Sequence, residues 1–64
     1  MNIIKTRKDE LLAIFDAENA ELVNARTLAA AHREAGSEWA DLFEDAAEAQ
    51  ERRARRAFDA YAQA

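Results

Sequence analysis

Residues 31–42 read AHREAGSEWADL, and the fold turns on the glycine in the middle. Gly36 is the only glycine of the chain, and proline is absent. On either side the sequence is rich in Ala, Glu, Arg and Leu, which favour helix. Glycine takes the left-handed conformation that ends many helices, and serine is a strong N-cap. Gly36 followed by Ser37 therefore predicts one helix ending and another beginning. Glu38 and Asp41 would then lie in the first turn of the second helix, where acids complement the positive end of the dipole. At the other boundary Thr6 is a candidate N-cap, with Asp9 three residues on as its capping-box partner. The expected helices run from 7 to 35 and from 38 to 62. Joined by so short a link, they must fold back on each other. The predicted fold is an all-α antiparallel two-helix hairpin forming a single domain over residues 1–64.

Helical periodicity supports this reading. At about 100° per residue, Ile4, Leu11, Ile14, Phe15, Leu22, Ala25 and Ala29 share one face of the first helix. Trp39, Phe43, Ala46, Ala47, Ala54, Ala57 and Tyr61 share one face of the second. Folding about Gly36 sets Ala29 near Phe43, Ala25 near Ala47, Leu22 near Gln50, and Phe15 near Ala57 or Phe58. Two polar residues interrupt these faces, Glu18 and Gln50. Buried charges persist when paired, so Glu18 is expected to make a register-fixing contact with Gln50 or Arg53. His32 should pack by the turn near Trp39 and Phe43.

The core is thin. Of the 64 residues 50% are hydrophobic, but seventeen of these are alanine, beside one Trp, one Tyr and three Phe. A chain of this length buries only about 60% of its unfolded surface, and such chains commonly rely on a staple or a second copy. Cysteine is absent, so there is no disulfide and no thiolate metal site. Leu12, Val23 and Ala30 form a second apolar stripe on the first helix, which a single hairpin leaves uncovered. They are a candidate contact surface, most simply for a homodimer in a four-helix bundle.

Charge is the other informative feature. The net charge is -4, which argues against non-specific nucleic-acid binding and for partners with basic surfaces. The segment ERRARR, Glu51 to Arg56, reads as a solvated helix face. Glu48–Arg52, Glu51–Arg55 and Arg55–Asp59 are spaced as i,i+4 pairs. A nucleic-acid grip would lack the interleaved acids and carry aromatic residues for stacking. Before it, from Glu38 to Glu51, stand six acids and no basic residue. Over about 20 Å of helix they place one charge every 3 to 4 Å, near the ~3.4 Å phosphate spacing of a DNA strand. Asp41, Glu44, Asp45, Glu48 and Glu51 are thus candidate contacts to a protein that normally holds nucleic acid. With Lys5, Arg7 and Lys8 folded toward the arginines, the molecule should be a rod with a basic end and an acidic end.

Catalysis needs a nucleophile beside a base, a carboxylate pair in a cleft, or a metal shell. One serine at a helix cap, one histidine and no cysteine do not assemble any of these, so a non-enzymatic protein without cofactor or metal is expected. No apolar run is long enough for a signal peptide or a membrane span, which predicts a cytoplasmic location with no membrane partner.

In length and in its single central turn the chain resembles the Rop-type RNA-binding helical hairpins, which dimerise into four-helix bundles. Its acidic second helix departs from what RNA binding requires. In size, single-domain build and the Glu38–Glu51 acidic run it is similar to phage-encoded anti-CRISPR proteins, many of which are small and acidic and bind CRISPR effector complexes where nucleic acid belongs. That resemblance implies an inhibitor acting in the host cytoplasm as a nucleic-acid mimic. The alternative is a structural oligomerisation hairpin whose charges serve solubility.

Overall fold

A computed structural model describes residues 6–64. Ile4 and Lys5, placed above on the apolar face and at the basic end, lie outside the described residues. Two helices account for nearly all the rest: α1, Arg7–Glu34, and α2, Ala40–Ala62. No strand occurs among the described residues. Cross-contacts fix the direction. Phe15 meets Phe58, Arg26 meets Glu51, and Arg33 meets Glu44. As the α1 partner climbs, the α2 partner falls, which is an antiparallel hairpin.

The start of α1 follows from its cap. Thr6 has extended backbone angles (φ -79, ψ 165), and its hydroxyl accepts from the Asp9 N–H at 3.1 Å. The Asp9 carboxylate accepts from the Thr6 N–H, also at 3.1 Å. This reciprocal capping box satisfies two amides that would otherwise be orphaned.

The end of α1 is a Schellman motif. The Gly36 N–H donates to Arg33 O at 3.1 Å and the Ser37 N–H to His32 O at 2.9 Å. That pattern demands a left-handed residue between them, and Gly36 supplies it with φ 67. An apolar contact commonly ties the two flanking side chains together. Here His32 Nδ1 and Ser37 Oγ stand 3.0 Å apart in a hydrogen bond instead.

Ser37 is not the N-cap of α2, contrary to the sequence expectation. Its hydroxyl accepts from the Trp39 N–H at 3.1 Å, and Ala40 N–H donates to Ser37 O. Those bonds close a separate tight turn, so the regular ladder begins at Phe43 N–H to Trp39 O. The helix therefore starts at Ala40 rather than residue 38, with Trp39 as a cap that makes no side-chain bond. Asp41 lies in the first turn, while Glu38 belongs to the connection.

The seam is narrow. Leu11, Leu22 and Ala29 of α1 are buried against Ala40, Ala47, Ala54 and Gln50 of α2. The alanines at 40, 47 and 54 recur every seven residues and bring only a methyl group each, which lets the helices approach. Close approach is visible at Gln50, whose amide Nε2–H donates to the main-chain carbonyl of Glu18 at 2.8 Å. A carbonyl oxygen has a second lone pair free for such a bond within a helix. The expected polar contact thus forms through the Glu18 backbone, not through its carboxylate. Phe15 and Phe58 close the far end edge-to-face, centroids 5.3 Å apart, and Lys8 Nζ sits 5.2 Å over the Tyr61 ring.

Three expected seam residues stand outside it. Ile14 is 50% exposed, Trp39 is 55% exposed, and Ala46 is exposed. Ile14 and Ala46 lie about 60° and 90° from the centres of their helices' packed stripes at 100° per residue. Trp39 is displaced by the extra turn. The extents of 50 × 26 × 11 Å explain why these side chains find no cover. The smallest is one helix diameter, so the hairpin is a single layer.

Candidate functional site

A single layer of two helices has two broad faces, and consecutive residues show how they differ. His32 and Arg33 follow one another on α1, and Phe43 and Glu44 on α2. His32 stacks on Phe43, centroids 4.0 Å apart and planes 11° from parallel. Arg33 pairs with Glu44. Neighbours in a helix are about 100° apart, so these two couples straddle the seam. One lies toward each face.

The Arg33 face carries the ion pairs. Arg33 Nε donates to Glu44 Oε1 at 2.7 Å and Nη2 to Oε2 at 3.0 Å, a two-pronged contact. Nη2 also donates to Asp41 Oδ1 at 2.6 Å. Hydrogen bonding to Asp41, then to Glu44, holds the guanidinium above its ordinary pKa. Helix ends favour this arrangement: the cation belongs to the last turn of α1 and Asp41 to the first turn of α2. The three side chains form a clasp across the turn. One level down, Arg26 Nη2 donates to Glu51 Oε1 at 3.1 Å, and Arg55 approaches the same oxygen at 3.6 Å.

The five carboxylates singled out from sequence therefore divide. Asp41, Glu44 and Glu51 hold guanidiniums of their own chain. Asp45 and Glu48 are exposed and make no ion pair among the described residues. Sequence reasoning missed Arg26 and Arg33, because a run counted along one helix cannot see what the other helix lays beside it. The register read from sequence, with Ala29 near Phe43, sets residue 33 level with residue 39, and only the long guanidinium side chains reach on to Glu44 and Glu51. Of the three i,i+4 pairs expected in the arginine segment, only Glu51–Arg55 closes. Leu12, Val23 and Ala30 are all exposed, Val23 at 56%, and lie outward of Arg26 and Arg33 on the ion-paired side.

The opposite face is apolar. Helical phase places Ile14 and Leu28 of α1 there, with Trp39, Leu42, Ala46 and Ala49 from the α2 side. Leu28 is 50% and Leu42 59% exposed. Its charges near mid-length are Glu21 and Arg53, which neither pair with each other nor with any other described residue.

Among the described residues no group of His, Asp and Glu is arranged to hold a metal ion, and no helix is long and apolar enough to cross a membrane. A shallow groove of about 210 Å³ runs between Phe15, Leu22, Ala54 and Phe58. That is smaller than the ~300–1,000 Å³ typical of small-molecule sites. Comparison of the chain with protein-family models, curated proteins and solved structures finds no match.

Proposed function

We propose that this chain is a non-enzymatic interaction protein that presents the acidic side of α2 to a basic surface on another protein. Asp41, Glu44, Asp45, Glu48 and Glu51 would meet lysines and arginines that otherwise hold nucleic acid, as in the small phage-encoded anti-CRISPR inhibitors it resembles. The location this implies is the cytoplasm of a host cell. The observation that carries the reading is the unequal pairing. Among the described residues, two carboxylates, Asp45 and Glu48, have no cation against them. Beside them Arg26 and Arg33 pre-position three others. Five carboxylates against three guanidiniums, those of Arg26, Arg33 and Arg55, leave this side negative over about 15 Å of helix. Fixing the acids in advance also lowers the ordering cost of association.

Asp45→Lys with Glu48→Lys tests this without breaking any intramolecular pair. Capture of a nucleic-acid-handling protein from bacterial lysate should weaken steeply from low to high salt, compete with single-stranded nucleic acid, and vanish in the double variant. Capture indifferent to salt or to the reversal removes the mimic. A second reading, an oligomerisation module, is favoured by the exposed Ile14, Leu28, Trp39 and Leu42 on the other face.

A further inference from the structure

We infer that the apolar face is covered by a second copy of this chain, stacked as a second layer about a two-fold axis parallel to the helices. The inference rests on the oligomerisation reading and adds to it the face, the axis and the residues that select them.

Charge selects the geometry. Glu21 stands at the midpoint of α1, Arg7–Glu34. Arg53 lies across the seam from it: residue numbers of cross-seam partners sum to 73 for Phe15–Phe58 and 75 for His32–Phe43, and Glu21–Arg53 falls between. Two hairpins stacked face to face admit two kinds of two-fold axis. An axis crossing the helices at mid-length lays α1 on α1 and sets Glu21 against Glu21, Arg53 against Arg53. An axis along the helices lays α1 of one copy on α2 of the other and sets each Glu21 against the partner's Arg53, twice. Like charges placed together at an interface are strongly disfavoured, so the lengthwise axis is selected. It makes every neighbouring helix pair antiparallel and puts both turns at the same end, where Trp39, Leu28 and Leu42 of the two copies come together.

Area agrees. α2 has 23 residues, about 35 Å of helix, and two helices side by side are about 20 Å wide. A face of roughly 700 Å² is close to the ~800 Å² per partner of a stable interface. The stacking also gives the one-layer hairpin the second layer that folded domains have, and it leaves the ion-paired acidic side of each copy outward. Leu12, Val23 and Ala30 remain outside the contact.

Sedimentation equilibrium on the full chain tests this. A dimer should be present, weakened about a hundredfold by Glu21→Arg and restored by Glu21→Arg with Arg53→Glu, because two cross-pairs reverse sign together. Circular dichroism reports that each variant keeps its helices. The chain has no cysteine, so a single Glu38→Cys accepts a spin label. The two labels should lie within about 20 Å if the turns share an end, and about 40 Å apart if they do not. A monomer at all concentrations overturns both this inference and the oligomerisation reading. A dimer broken by Val23→Glu and indifferent to Glu21→Arg keeps oligomerisation and overturns this face. Labels about 40 Å apart overturn the lengthwise axis.

Discussion

Gly36→Ala isolates the one backbone requirement of the hairpin. The residue sits at φ 67, and a Cβ built there would meet nothing within 4 Å. Steric clash with neighbours is therefore removed from the problem. What remains is the left-handed conformation itself, which costs an L-residue about 1–2 kcal/mol. Against this, alanine stiffens the unfolded chain and recovers about 0.4–1 kcal/mol. The net loss should be about 1 kcal/mol. With an unfolding entropy of about 2.1 cal/mol/K per residue, a chain of 64 residues should melt about 7 °C lower. Gly36→Asn should fall between the two, since asparagine tolerates this region better than alanine. Thermal melts followed by circular dichroism decide it, all at one protein concentration because self-association shifts the midpoint. An alanine variant melting at or above the parent would refute the reasoning, and with it the claim that a left-handed residue holds the turn.

Leu22 is only 6% exposed and is one of two buried leucines, so Leu22→Ala should cost about 2–5 kcal/mol. That is enough to abolish a cooperative urea transition in a chain this small. Its neighbour Val23→Ala should change stability by less than about 0.5 kcal/mol, and equal effects at the two positions would contradict the observed seam. Gln50→Ala should lose about 0.5–1.5 kcal/mol for the bond to the Glu18 carbonyl together with the packing of the side chain. Gln50→Leu keeps the volume and removes the polar group with its desolvation cost, so it should be nearly neutral in the same denaturation experiment. If leucine is as damaging as alanine, the hydrogen bond and not the filled volume is what holds that point of the seam.

Local chemistry made the hairpin legible. A lone glycine in an unbroken run of helix formers leaves one place to turn, and Thr6 with Asp9 is a cap readable at a spacing of three. Leu11, Leu22 and Phe15 were likewise placed correctly by period alone. Ser37 misled because its hydroxyl has two possible uses. Capping α2 lost to closing a tight turn with Trp39 and bonding His32, a choice made by the Schellman geometry upstream. Ile14 and Ala46 misled because periodicity gives the centre of a face but not its width, and width depends on how many layers cover it.

Which acids are paired was decided only in three dimensions. Arg33 reaches Glu44 across 11 positions and Arg26 reaches Glu51 across 25, separations that no helical spacing rule covers. The difference between the two faces has the same origin. Each helix by itself carries apolar and charged residues around much of its circumference. The antiparallel register gathers Arg26, Arg33, Glu44 and Glu51 to one side, and Leu28, Trp39 and Leu42 to the other. Sequence determined where the chain bends and that it is helix on both sides of the bend, because those follow from each residue's own backbone preferences. The tertiary structure determined which charges neutralise one another and which face stays bare, because those depend on the rotation and offset of one helix against its neighbour.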